Sequence, residues 1–119
     1  MDDLIAFLRA RFDEDERVAR AVAWADRAAF WHVTPRGVVS DIGIVVERDV
    51  VIIANQRHDK LEHIARHDPA RVQREVEAKR ALLGLWSRAT SYDRRGMYSL
   101  RTLALPYADH PDYRLEWRP

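Results

Sequence analysis

One carboxylate and two imidazoles, side chains able to bind metal ions or transfer protons, recur at four-residue spacing in the middle of the chain: Asp59, His63 and His67. Residues four apart lie on one face of an α-helix, so a helix here places the three side chains in a row. Two imidazoles one turn apart can share a divalent ion, and a carboxylate can be the third ligand or orient an imidazole. The row is therefore a candidate site for a metal-dependent or histidine-dependent enzyme.

The same row lacks other features of established metal sites. Structural zinc takes four ligands, and the strong catalytic signature has Glu directly after the first His, where this chain has Ile64. A helix-end histidine at His67, favoured by the helix dipole, and a surface pair of Asp59 with His63 account for these residues without a ligand. We therefore predict no catalytic residue, no metal and no cofactor, and retain the row as candidate ligand or interaction residues.

Composition excludes several other classes of function. Twenty Lys and Arg against nineteen Asp and Glu give a net charge of +1, which provides no global field for nucleic acid or anionic lipid. The absence of cysteine excludes disulfides, thiol nucleophiles and thiolate metal sites. No apolar run approaches the length of a bilayer, and Asp2 and Asp3 replace the basic start of a signal peptide. We expect one cytoplasmic domain, residues 1–119, with no membrane segment.

The step Asp68-Pro69 organises the helices that would carry the histidine row. Asp68 has an acceptor suited to capping a helix start, and Pro69 fits the first helical position, so one helix ends by His67 and another begins. In the second helix apolar residues, with Leu82 beside them, recur at three- and four-residue spacing, which predicts a buried face. The predicted helices span 2–27, 55–67, 69–87 and 94–105, and an extended C-terminal strap spans 106–119.

Between the first two helices the period of the apolar residues changes to two. Residues 30–33, 38–46 and 50–54 are rich in β-branched and aromatic types and are separated by short turn segments, which predicts a three-stranded antiparallel meander over 30–54. The fold class is therefore α+β, with the meander packed against the N-terminal helix and the helix-corner-helix. The last strand is apolar on both faces and should form an edge, which favours a homodimer through the sheet.

Two blocks of sequence resemble a known family. The segments HIARHDPARV, residues 63–72, and ALPYADHPDY followed by EWRP, residues 104–119, resemble a family of small uncharacterised proteins from actinobacteria and their phages. That family has no assigned activity, so the resemblance implies a shared fold and no particular chemistry.

The remaining signals favour a non-enzymatic accessory protein that acts through contact with an unknown protein partner. The strap is too aromatic for a disordered tail, and its Tyr107, Tyr113 and Trp117 are further candidate interaction residues. The acidic run Asp13 to Glu16 is expected to be a solvated, internally paired face of the first helix. A second alternative is weak binding of nucleic acid, which the acidic residues interrupting the arginines of the 69–87 helix disfavour.

Overall fold

The computed structural model describes residues 1–23, 26–47, 58–88 and 93–119. Within these ranges the chain forms four α-helices and a three-stranded antiparallel sheet, so the predicted α+β class is confirmed. The elements in chain order are α1 (Asp2–Val22), a 3₁₀ turn (Asp26–Ala28), β1 (His32–Thr34), β2 (Gly37–Ser40), β3 (Gly43–Glu47), α2 (His58–Arg66), α3 (Pro69–Ser87), α4 (Arg94–Ala104), and 3₁₀ turns Leu105–Tyr107 and Leu115–Trp117. Across this described part of the chain, every helix is too short or too polar to span a bilayer.

Contacts within the chain group the elements into two compact units. Unit 1 consists of Met1–Asp15 and Glu75–Pro119, and unit 2 of Glu16–Arg74. The long helices α1 and α3 therefore each contribute residues to both units.

The sheet and α2 form the core of unit 2. The strand order is β1-β2-β3, with His32 opposite Val39 in the first pair and Val38 opposite Val46 in the second. Alternation along β2 directs Val38 to the covered face, where it is fully buried with Leu61 and Ala65 of α2. The partly buried side chains around this cluster are Trp31, Val33, Val45, Val46 and Ile64.

The meander is confirmed as an antiparallel three-stranded sheet, but its strands differ from those predicted. The expected middle strand, 38–46, is two strands, β2 and β3, joined by a turn at Asp41 and Ile42. The Ser40 hydroxyl stabilises this turn, because it accepts from the Ile42 amide at 3.4 Å and donates to the Gly43 carbonyl at 3.4 Å. Ile42, which a continuous strand over 38–46 would place on the same face as Val38 and Val46, is 44% exposed in the turn. The predicted strand 50–54 lies outside the described residues.

The predicted helix corner is present, and Asp68 caps α3 as expected. Its Oδ1 accepts from the Arg71 amide at 2.8 Å, the third residue of the helix that Pro69 begins. Its Oδ2 accepts from the Trp31 amide at 3.1 Å, just before β1. One carboxylate therefore fixes both the start of α3 and the entry to the sheet. Beside it, the Ala70 amide donates to the Ala29 carbonyl at 3.0 Å.

Helix α1 ends at Val22, earlier than the predicted residue 27. The chain after the helix is held in a non-helical path, because the Ala28 carbonyl accepts from the Trp31 indole at 3.0 Å and the Ala29 carbonyl accepts from the Ala70 amide at 3.0 Å. The other helices match their predicted spans closely, although the predicted start of the second helix, 55–57, lies outside the described residues.

The core of unit 1 is built on the N-terminal half of α1. Leu4, Leu8 and Phe12 follow the four-residue spacing of one helix face and are at most 1% exposed. Leu83 of α3 and Leu100 of α4 are buried in the same unit. Gly96, in the first turn of α4, lies so close to Trp86 that an added Cβ would sit 2.9 Å from its ring carbons, so this contact requires glycine.

We predict that Asp68→Ala destabilises the fold by about 2 kcal/mol, because it removes a helix cap and a second hydrogen bond to the Trp31 amide. Asp68→Asn should cost roughly half as much, since its carbonyl can still cap α3 but its amide nitrogen cannot accept from Trp31. The measurement is the free energy of unfolding from urea titrations. Equal losses in the two variants would contradict the two-oxygen role.

Candidate functional site

The two histidines of the predicted row meet at the C-terminal end of α2. Their ring centroids lie 4.3 Å apart, and both side chains are exposed. The Nδ1–H of His67 donates to the His63 carbonyl at 2.7 Å, so Nε2 is the ring nitrogen directed away from the backbone. With Glu62, Arg66 and Arg71 they line an open cleft of about 500 Å³.

The cations around this cleft are engaged with the end of the helix. Arg66 pairs with Glu62 at 3.3 Å, and a terminal nitrogen of Arg71 donates to the Arg66 carbonyl at 3.3 Å. Positive side chains at the negative end of a helix stabilise its unpaired carbonyls. The Asp59 side chain, third in the predicted row, lies outside the described residues. Among those described, no three His, Cys, Asp or Glu side chains come close enough to hold a metal ion.

The strap residues form a second cluster, in unit 1, around Phe7 of α1. Four aromatic rings of the strap surround Phe7 at centroid distances of 5.0–6.4 Å: Tyr107, His110, Tyr113 and Trp117. Edge-to-face and tilted contacts of this kind add to the burial of apolar area. Trp117 is 7% exposed, and Tyr107 and Tyr113 are half-buried. The three aromatic residues predicted to make interactions therefore pack on α1.

Polar contacts attach the strap on both sides of Phe7. The Tyr107 hydroxyl donates to Asp15 Oδ2 at 2.6 Å, and Lys79 Nζ donates to the same hydroxyl at 3.4 Å. The Arg11 guanidinium contacts the His110 ring, and near the end of the strap Arg114 pairs with Asp3 at 2.8 Å. Between them the strap and α1 leave a shallow groove of about 530 Å³, bordered by Ala6 and Ala10.

The environment of Tyr107 raises the pKa of its hydroxyl well above the ordinary value. Burial is the largest cause, because it disfavours the phenolate, and the hydrogen bond to Asp15 and the negative charge of that carboxylate act in the same direction. The neutral hydroxyl is therefore the form that the folded protein favours, and it acts as a donor to Asp15.

The structure also accounts for the acidic run of α1. Asp13 binds Arg80 of α3 at 2.6 Å, and Asp15 binds Tyr107. Glu14 pairs with Arg11 at 3.3 Å and Glu16 with Arg20 at 2.7 Å. Sequence reasoning predicted a paired face for this run but missed Arg80 and Tyr107 as partners, because helical spacing contains no signal for contacts 67 and 92 residues apart.

We predict that the purified protein contains no stoichiometric transition metal, because the described histidine pair supplies two of the four ligands that structural zinc takes. Elemental analysis by mass spectrometry is the measurement. About one zinc ion per chain, lost in His63→Ala, would contradict this prediction.

We predict that Tyr107→Phe destabilises the fold by about 1–2 kcal/mol at neutral pH, because Asp15 loses its hydroxyl donor. The folded pKa of Tyr107 lies above the unfolded value of about 10, so the hydroxyl's contribution is fully present below that pH and is lost as the pH rises beyond it. The free energy of unfolding of the wild type should therefore converge on that of the variant in strongly alkaline solution. Urea titrations across this pH range are the measurement.

The matched control is Tyr98→Phe, since Tyr98 is 61% exposed. Its unfolding free energy should follow that of the wild type at every pH. An alkaline loss of the same size in wild type and Tyr107→Phe would show that Tyr107 is not the titrating group.

Comparisons with known proteins give the chain a family and no activity. Neither the curated proteins nor the solved structures contain a match. A family model matches residues 1–119, the whole of the sequence. The chain therefore belongs to the family of unknown function DUF6221.

Proposed function

We propose that this protein is a non-enzymatic accessory protein that acts through protein–protein contact, and that it makes this contact with the outer face of α3. The observation that carries the proposal is an apolar stripe on that face. The residues of the stripe are Ala78, Ala81, Leu82 and Leu85, and all four are exposed.

The α3 stripe lies on one side of the helix because its members are spaced at three and four residues. The opposite side of α3 carries the buried residues Val76 and Leu83. Sequence analysis placed Leu82 beside the core residues, but Leu82 is 47% exposed, since one step along a helix from Leu83 turns the side chain by about 100°. Leu85, one turn further on, is 66% exposed.

Covering this stripe would be favourable. Complete burial of a leucine side chain stabilises by about 1.5–3 kcal/mol, so removing the remaining exposed area of Leu82 and Leu85 from water contributes on the order of 2 kcal/mol. Contiguous exposed apolar side chains bordered by charged residues are typical of protein interaction sites. Here Glu77 and Arg88 border the stripe.

Other exposed apolar side chains give weaker support. Val18 and Val22 lie one turn apart on α1 and are 52% and 49% exposed, but burying a valine removes less apolar area from water than burying a leucine. Tyr98 and Leu115 are 61% and 81% exposed, and exposed apolar side chains are common on protein surfaces. Ile42 lies in the turn before β3 and Ile44 lies in β3, but β3 leads directly into residues 48–57, outside the described part of the chain. The homodimer through the sheet needs the strand in that segment, so it stays a prediction.

The second candidate is a metal-dependent or histidine-dependent enzyme that uses His63 and His67 with Asp59. It is favoured by the orientation of His67, whose Nδ1–H bonds the backbone as a metal-binding imidazole commonly does. It ranks below protein contact because the described residues supply only the two imidazoles. Nucleic-acid binding ranks third, since Arg66, Arg80 and Arg114 each pair with a carboxylate.

The test is affinity capture by the tagged protein from its own host, followed by mass spectrometry. Leu85→Glu places a charge on the stripe, and Leu115→Glu makes the same change at a leucine outside it that is 81% exposed. Both should fold normally, which circular dichroism checks. Proteins captured by the wild type and by Leu115→Glu should be lost from Leu85→Glu. The same captured set for all three proteins would overturn the proposal.

A further inference from the structure

We infer that the partner on the α3 stripe is a second copy of this chain, packed antiparallel about a two-fold axis that passes between the levels of Ala81 and Leu82. This inference rests on the proposed function, because it identifies the partner of the same surface. It follows from the order of small and large residues along the stripe and from the charges at its border.

The stripe is self-complementary in shape. Its first half carries the small residues Ala78 and Ala81, and its second half carries the large residues Leu82 and Leu85. When two copies run antiparallel about the proposed axis, Ala78 faces Leu85 of the other copy at both ends of the contact. Ala81 and Leu82 lie on opposite borders of the stripe, so near the axis each lies beside the same residue of the other copy. The small Ala78 leaves the space that Leu85 of the other copy fills, which lets the two helices approach closely.

A parallel arrangement lacks this complementarity. It would place Leu85 against Leu85 and Ala78 against Ala78, so one end of the contact would be crowded and the other would be empty. The antiparallel arrangement is also isologous, which means that one surface supplies both sides of the interface and the assembly closes as a dimer.

Charges on one border of the stripe favour the same arrangement. Glu77 and Arg88 lie on the same side of the helix and are both exposed, and the Arg88 Nε donates to the Gly84 carbonyl at 2.9 Å. About the proposed axis, Glu77 of one copy lies at nearly the same level as Arg88 of the other, on the same border. The dimer therefore brings Glu77 of each copy beside Arg88 of the other, whereas a parallel dimer would place Glu77 against Glu77 and Arg88 against Arg88, and a chain charge of +1 adds little repulsion.

Arg74, one turn before Ala78, lies at the end of the stripe and brings a second positive charge towards Arg88 of the other copy. A test of the charges should therefore first change Glu77, because it is the negative member of the pair with Arg88. Glu77→Arg would surround Arg88 with positive charges, whereas the double variant Glu77→Arg with Arg88→Glu restores an opposite-charge pair.

The size of the stripe sets the strength expected. It covers about two helical turns, which places the interface below the usual size of stable complexes. We therefore expect a weak dimer in concentration-dependent exchange with the monomer. Sedimentation equilibrium of the purified protein from about 10 μM to about 1 mM covers the range of weak association.

The decisive experiment exchanges the large and small residues. Leu85→Ala should weaken the dimer about tenfold or more because it removes the leucine–alanine contacts at both ends of the interface. Ala78→Leu should weaken it as well, since two leucines then compete for one space. The double variant Ala78→Leu with Leu85→Ala recreates a leucine facing an alanine, and its dissociation constant should return to within about threefold of the wild type.

Both residues are exposed and both substitutions preserve helix propensity, so the variants should fold as the wild type does. Recovery in the double variant, and in the Glu77 and Arg88 exchange, would support the antiparallel dimer. A monomer mass at all concentrations would overturn it, as would a dimer that these substitutions do not affect. If the protein is monomeric but capture from the host still depends on Leu85, the second copy is refuted while the proposed function stands.

Discussion

The Asp68 carboxylate is the interaction on which the geometry of unit 2 depends. Its two oxygens accept hydrogen bonds from amides in different elements, Arg71 at the start of α3 and Trp31 before β1. A helix start has unpaired amides, and the residue before a strand can adopt several backbone conformations. One side chain that accepts hydrogen bonds from both therefore restricts the backbone at two places. Pro69 restricts Asp68 to the extended conformation that this capping needs.

The Asp68 cap could be predicted from the sequence because its chemistry is local. A short acceptor followed by proline identifies a helix start within two residues, and the amides that it caps follow directly. The fold class could also be predicted, because the spacing of the apolar residues changes from three or four to two, and this change is visible without knowledge of tertiary contacts. The alternation between Val38 and Val46, however, concealed the turn at Asp41 and Ile42, where the Ser40 hydroxyl bonds to the backbone of Ile42 and Gly43.

Contacts between residues that are far apart in the sequence could not be predicted. Nothing in the sequence near Asp15 indicates Tyr107, and nothing near Asp3 indicates Arg114, because hydrophobic and charge periodicity report only which face of an element a residue occupies. The candidate sites show the same difference between contacts within one helix, which could be predicted, and features that depend on tertiary packing, which could not. The meeting of His63 and His67 follows from helical spacing, whereas the exposure of Leu82 depends on which part of α3 its neighbours cover.

These two candidate sites also differ in the side chains that they leave available to a partner. At the end of α2 the arginines bond to a carboxylate and a carbonyl, whereas the α3 stripe exposes two leucines.

Unit 1 is formed by two segments that are far apart in the sequence, and this affects how the chain folds during its synthesis. Unit 2 is one continuous segment, Glu16–Arg74, so all its residues are available once that segment has left the ribosome. Unit 1 joins Met1–Asp15 to Glu75–Pro119, and Phe7 contacts Trp117 near the end of the chain. The cover of Phe7 is therefore complete only after more than a hundred further residues have been translated. During that interval Leu4, Phe7, Leu8 and Phe12 form an uncovered surface for chaperones or for aggregation on the nascent chain.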